Sequence, residues 1–137
     1  MLDHVGFAVS DYDRSKAFYE HALAPLGLKL ITEPAGQAAG FGTAGKPWFW
    51  VEAQGIPVRG RLHVALAADS RRQVDAFHAA ALDAGGIDNG APGVRAIYHR
   101  DYYGGYVLDP DGNNVEAVCH QPASRRHKRR ADLAPEP

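Results

Sequence analysis

Four residues carry the candidate chemistry of this chain: His4, His63, Glu52 and Glu116. Each His opens a strand-like segment, and each Glu sits inside a Val-Glu-Ala tripeptide, at 51–53 and again at 115–117. Imidazole nitrogens together with carboxylate oxygens suit Zn²⁺, Ni²⁺, Co²⁺, Fe²⁺ or Mn²⁺. With no cysteine in the set, this does not read as a closed structural zinc site. Three or four protein ligands leave positions for water and substrate, which is the catalytic arrangement. His4, His63, Glu116 and Glu52 are therefore the expected ligands of a divalent metal. Glu52 and Glu116 are also the candidates for moving a proton, Glu52 as general base if it is not a ligand.

An internal repeat positions these residues. His4-Val5-Gly6-Phe7-Ala8-Val9 falls on His63-Val64-Ala65-Leu66-Ala67-Ala68, and at the same offset Ala17-Phe18 meets Ala76-Phe77 and Gly27 meets Gly86. The two Val-Glu-Ala tripeptides stand further apart, so the second unit carries extra residues between. One domain over 1–120 is expected, with module one at 2–53, module two at 61–119 and Gln54–Gly60 as linker. Each module should be β-α-β-β-β, an α+β fold with the modules related by a pseudo-twofold axis and both helices outside a curved sheet.

Within module one the pattern predicts a strand at 2–9, a helix from Tyr12 to Leu23 capped by Ser10 or Asp11, and strands at 28–32, 38–42 and 48–53. Ala17, Phe18, Ala22 and Leu26 form the predicted buried stripe of that helix. Module two repeats this with strand 62–68, a cap at Asp69 or Ser70, helix 71–84, and strands at 96–99, 105–108 and 115–119. Asp109-Pro110-Asp111-Gly112-Asn113 is a tight turn. Strand parity places Val5, Phe7 and Val9, and Leu62, Val64 and Leu66, against the helices. His4, His63, Glu52 and Glu116 then share one inner face, with Trp48 and Trp50 at the parity of Glu52. Trp48, Trp50, Tyr98, His99 and Tyr103 are expected to line a substrate pocket. His21 and His78, on helices, read as surface residues.

Of the 137 residues, 45% are hydrophobic and 23% charged, ordinary for one globular domain. No run is long enough to span a membrane, and residue 2 enters a strand-like segment with no basic-plus-apolar leader, so a cytoplasmic location is expected. The lone Cys119 excludes an internal disulfide. The net charge of −1 is uneven. Arg125, Arg126, Lys128, Arg129 and Arg130 make the segment 121–137 basic, and its composition reads as a disordered tail. The acidic body does not favour nucleic-acid binding.

His4, the segment Ser10–Tyr19, His63, the turn Asp109–Asn113 and Glu116 together resemble the vicinal oxygen chelate superfamily, the group of glyoxalase I, bleomycin-resistance proteins, fosfomycin-resistance enzymes and extradiol dioxygenases. The resemblance covers residues 2 to 120. It implies paired β-α-β-β-β modules forming a cup around a metal that chelates two neighbouring substrate oxygens, in a homodimer. It assigns His4, His63 and Glu116 as ligands and sets Glu52 where glyoxalase I has its other Glu. The activity implied is that of a metal-dependent lyase, isomerase or dioxygenase on a small molecule with adjacent oxygens. The alternative is a metal-free protein that sequesters a small molecule, as bleomycin-resistance proteins do.

Overall fold

The chain is described by a computed structural model, which covers residues 1–123. The basic cluster expected to be disordered lies outside the described residues. Module one runs β1 (Val5–Ala8), α1 (Tyr12–Leu23), β2 (Lys29–Thr32), β3 (Ala38–Thr43) and β4 (Lys46–Glu52). Module two runs β5 (His63–Ala67), α2 (Arg71–Asp83), β6 (Ile87–Val94), β7 (Tyr103–Leu108) and β8 (Asn114–Cys119). The two sheets have the same construction, β1-β4-β3-β2 and β5-β8-β7-β6, with the first pair of each parallel and the rest antiparallel. The repeat expected from sequence is thus present element by element.

Local chemistry explains most boundaries. Asp11 caps α1 by accepting from the Arg14 N–H at 3.1 Å, and Ser70 caps α2 by accepting from Gln73 N–H at 3.2 Å. Gly27, at φ +83°, ends the turn after α1 in a conformation that costs a side chain strain. One expectation fails here. Residues 96–99 form a turn, and the strand of module two is instead β6 at 87–94, whose Asp, Gly and Pro content conceals it. Its irregular register against β7 and its place at the sheet edge explain how Pro92 is tolerated.

Both sheets turn one face to a single core. Phe7, Val9, Phe41, Phe49 and Val51 meet Leu66, Val107, Val115 and Ala117, with Phe18, Tyr19, Leu23, Val74 and Phe77 from the helices among them. α1 packs against α2, and α2 against β7. The α1 stripe differs from expectation, since Ala17 is exposed while Ser15, Tyr19 and Leu23 join the buried residues. His78 is buried too, against the expected surface position, and its Nε2 lies 2.9 Å from Asp88 Oδ1.

The Asp109–Asn113 turn ties the modules together. Buried Asp109 accepts from the Tyr19 hydroxyl of α1 at 2.6 Å, and Asp111 accepts from the backbone and side chain of Ser10. Asn113 donates to Val58 O at 3.1 Å and accepts from Leu62 N–H at 3.3 Å, which secures the linker. Ser10 is thereby spent on this contact and leaves the capping of α1 to Asp11.

Candidate functional site

The core-facing side of each sheet is apolar, so the chemistry lies on the two opposite faces. On the module-two sheet, His63, Ala65 and Ala67 are exposed, and Ala65 pairs with Glu116 across the parallel β5–β8 ladder. Glu116 is only 2% exposed, in a place that penalises a bare carboxylate charge. Its Oε2 lies 3.1 Å from His63 Nε2, and its Oε1 accepts from the Tyr102 hydroxyl. Tyr106 stands directly opposite Glu116 in the β7–β8 register, with its phenol beside the same carboxylate. Burial, with Glu116 beside it, holds the Tyr102 phenol well above its ordinary range, and Tyr106 is raised for the same two reasons.

The module-one sheet carries the other pair. His4, Ala38, Pro47, Trp50 and Glu52 line an open cleft of about 360 Å³. His4 Nδ1 lies 2.8 Å from Asp3 Oδ1, and Lys46 Nζ lies 2.5 Å from the second Asp3 oxygen. A proton held on Nδ1 by Asp3 leaves the His4 Nε2 lone pair free for a cation. Glu52 leans diagonally across to β1, where a Cβ on Gly6 would lie 3.0 Å from its Oε1. Unlike Glu116, it is exposed.

The pairing register separates the two carboxylates. Ala8 stands opposite Glu52, and Ala65 stands opposite Glu116. Ala8 is four residues past His4, whereas Ala65 is two past His63, so the module-one position equivalent to Glu116 is Trp50. Glu52 is displaced by two residues, about 7 Å of strand. The shared Val-Glu-Ala tripeptide suggests an equivalence that the ladders do not keep.

The expected four-residue cluster on one inner face does not form within one chain. Among the described residues no group of three or more His, Cys, Asp or Glu side chains is placed to hold a metal. The reason is geometric: both sheets lie on one core, so the His4/Glu52 face and the His63/Glu116 face point away from each other. Each face presents half a donor set, and the halves fit a divalent ion by type, one imidazole with a carboxylate on each.

The expected pocket residues divide. Trp50 lines the module-one cleft. Trp48 packs instead on the core, because the β3–β4 ladder slips between Phe41 and Gly42 and breaks the alternation. Tyr103 also faces the core side, where its hydroxyl donates to Asp75 at 2.6 Å. Tyr98 and His99 are exposed and pack against Tyr102 beside Glu116, one ring tilted and the other edge-on. Tyr106 was the residue sequence reasoning passed over. The Asp109–Asn113 turn sets Tyr106 opposite Glu116, and counting back across that turn would have found it.

Comparison with known proteins agrees with this architecture. The family model described as Glyoxalase/Bleomycin resistance protein/Dioxygenase superfamily matches residues 1–117. The chain is 28% identical over 120 residues to metallothiol transferase FosB of Shouchella clausii, covering 84% of this chain and 77% of that one. A glyoxalase/bleomycin resistance protein from Albidiferax ferrireducens superposes with a TM-score of 0.73 at 30% identity, covering 88% of this chain and 98% of the other. A fosfomycin resistance protein of Listeria monocytogenes, solved with Mn(II) and 1S,2S-dihydroxypropylphosphonic acid, shares the fold at 16% identity and a TM-score of 0.62, covering 96% and 97%.

Proposed function

The chain belongs to the Glyoxalase/Bleomycin resistance protein/Dioxygenase superfamily, and from that premise we propose a metal-dependent enzyme, a glyoxalase-like lyase or isomerase or a dioxygenase, acting on a small molecule with adjacent oxygens. Its cup is shared between two copies of the chain. One copy contributes the His4 face and the other the His63/Glu116 face, so a twofold dimer has two equivalent sites. The observation that carries this reading is the His63–Glu116 pair, 3.1 Å apart with the carboxylate buried on a face that turns away from His4. A divalent ion there would act as a Lewis acid, lowering the cost of negative charge on a substrate oxygen.

His4, His63 and Glu116 are the ligands in this reading. Glu52, displaced from the register of Glu116 and exposed in the cleft, is the group that takes or returns a proton. Trp50 on one face and Tyr98, Tyr102 and Tyr106 on the other supply flat apolar walls. Arg95 lies over the Tyr106 ring at 5.3 Å and offers a cation to an acidic substrate head. The same aromatic lining also supports the alternative, a dimer that sequesters a small molecule without turnover.

The test is subunit complementation. His4→Ala and Glu116→Ala proteins, each alone, are expected to take up no stoichiometric metal and to lack activity. Mixed after reversible dissociation, they form heterodimers in which one cup is doubly defective and the other is intact. Random pairing then restores about a quarter of the wild-type metal sites. No recovery on mixing sinks the shared cup, and wild-type protein that takes up no metal under any loading condition promotes the sequestering alternative.

A further inference from the structure

We propose that Tyr102 is a positioning residue that fixes Glu116 as a one-oxygen ligand, an inference that rests on the metal reading above. The two oxygens of Glu116 have separate surroundings. Oε2 faces His63 Nε2 at 3.1 Å, while Oε1 accepts from the Tyr102 hydroxyl. Tyr106 stands across the β7–β8 ladder from Glu116, with its phenol beside both groups. A Cβ on Gly104 would lie 3.2 Å from Oε1, 3.2 Å from Tyr102 Cε1 and 3.3 Å from the Tyr106 oxygen, so Oε1 is enclosed by these groups. Turning the carboxylate to offer both oxygens to one cation would strip the phenol from Oε1 in a buried position. The outward oxygen is left for the ion, with the His63 nitrogen beside it.

Tyr102 is itself held from several sides. Its ring packs on Tyr98 at 4.7 Å, on His99 at 5.6 Å and on His120 at 5.3 Å. Its N–H donates to His99 O at 3.1 Å and its carbonyl accepts from Arg95 N–H at 2.7 Å. His99 Nδ1 accepts from the Asp101 N–H at 3.1 Å. That leaves the proton on His99 Nε2, which donates to His120 Nδ1 at 2.7 Å. The segment between β6 and β7 is thus a closed loop that delivers one hydroxyl to one oxygen.

Titration of the full-length dimer with Co²⁺ tests this, reading affinity and the visible d–d absorption of the bound ion. Tyr102→Phe is expected to bind about tenfold more weakly or worse, the usual cost of losing a partner that orients a ligand. Its absorption should also weaken as the freed oxygen joins the ion and raises its coordination number. Tyr103→Phe, which loses a hydroxyl on the core side, should keep the wild-type affinity and spectrum. Should Phe at 102 prevent folding, His99→Ala loosens the same loop without touching Glu116 and is expected to weaken binding in the same direction by a smaller factor. Wild-type affinity and spectrum in the Tyr102→Phe protein, or in His99→Ala where it is the variant used, overturn the assignment while leaving the metal reading intact. Wild-type protein that binds no Co²⁺ overturns both.

Discussion

Module one and module two share strand order, helix placement and an opening His, yet they treat their carboxylates differently. In module two, Glu116 is buried, opposite a small residue close to its His, and held by the Tyr102 phenol. In module one, Glu52 is exposed, two residues further along the ladder, with Trp50 occupying the equivalent position. The surroundings of the two His residues differ in the same sense. His63 faces the buried carboxylate directly, whereas His4 is oriented from behind by Asp3 and Lys46 at the surface. The two halves keep one frame, but one encloses its carboxylate and the other leaves it exposed.

That contrast is sharpest in metal affinity. Glu116→Gln is expected to weaken metal binding more than about 100-fold, beyond the loss brought by removing a supporting partner, while Glu52→Gln changes affinity by less than about tenfold and depresses turnover instead. Competition titration with a chromophoric chelator, alongside single-turnover rates, reads both. Equal losses of affinity would make Glu52 a ligand and erase the distinction between the modules.

The next effect concerns what joins the modules compared with what stays inside one. Tyr19→Phe removes the donor to buried Asp109 across the module boundary and should cost about 1.5–3 kcal/mol in urea unfolding. Tyr12→Phe, within module one, should cost about 0.5–1.5 kcal/mol, since Lys16 still holds Glu33 at 2.8 Å. A reversal of that order would show that the tie across the boundary is the weaker of the two.

The smallest effect is the response to alkali. Burial, with the Asp109 carboxylate next in effect, raises the Tyr19 phenol well above its ordinary value of 10.0, and burial pushes Tyr12 up to about 12. The folded state therefore keeps protons that the unfolded chain releases. The stability contributed is whole below pH 10 and declines as the pH rises through the folded values. Melting temperature should be flat from neutrality to about pH 10 and then fall, less steeply in Tyr19→Phe. An equally steep fall in that variant would place the sensitivity elsewhere than the tie between modules.

The helices were legible because their signals are local. Tyr12–Leu23 follows from Asp11 as a cap, and Arg71–Asp83 from Ser70. The β6 strand was not legible, since Gly90, Pro92 and Gly93 argue against a strand and only pairing with β7 makes one. Alternation sorted Phe7 from His4 and Val115 from Glu116, but it failed at Trp48, where a ladder irregularity reverses the face. No pattern along a single strand reports a bulge that forms only against its neighbour.

The chain alone determined the inventory: a duplicated β-α-β-β-β unit, a His opening each half, carboxylates near each close and a turn rich in Asp, Gly and Asn. Strand parity and repeat spacing suffice for that, because both are properties of neighbouring residues. Only the tertiary structure decided how the inventory is combined. It put both sheets on one core and so turned the two His faces apart. It set Glu52 out of register with Glu116, and it brought Tyr102 onto the buried carboxylate. Those outcomes depend on which surfaces pack together and on where each ladder slips, quantities that arise between segments and leave no trace in either one alone.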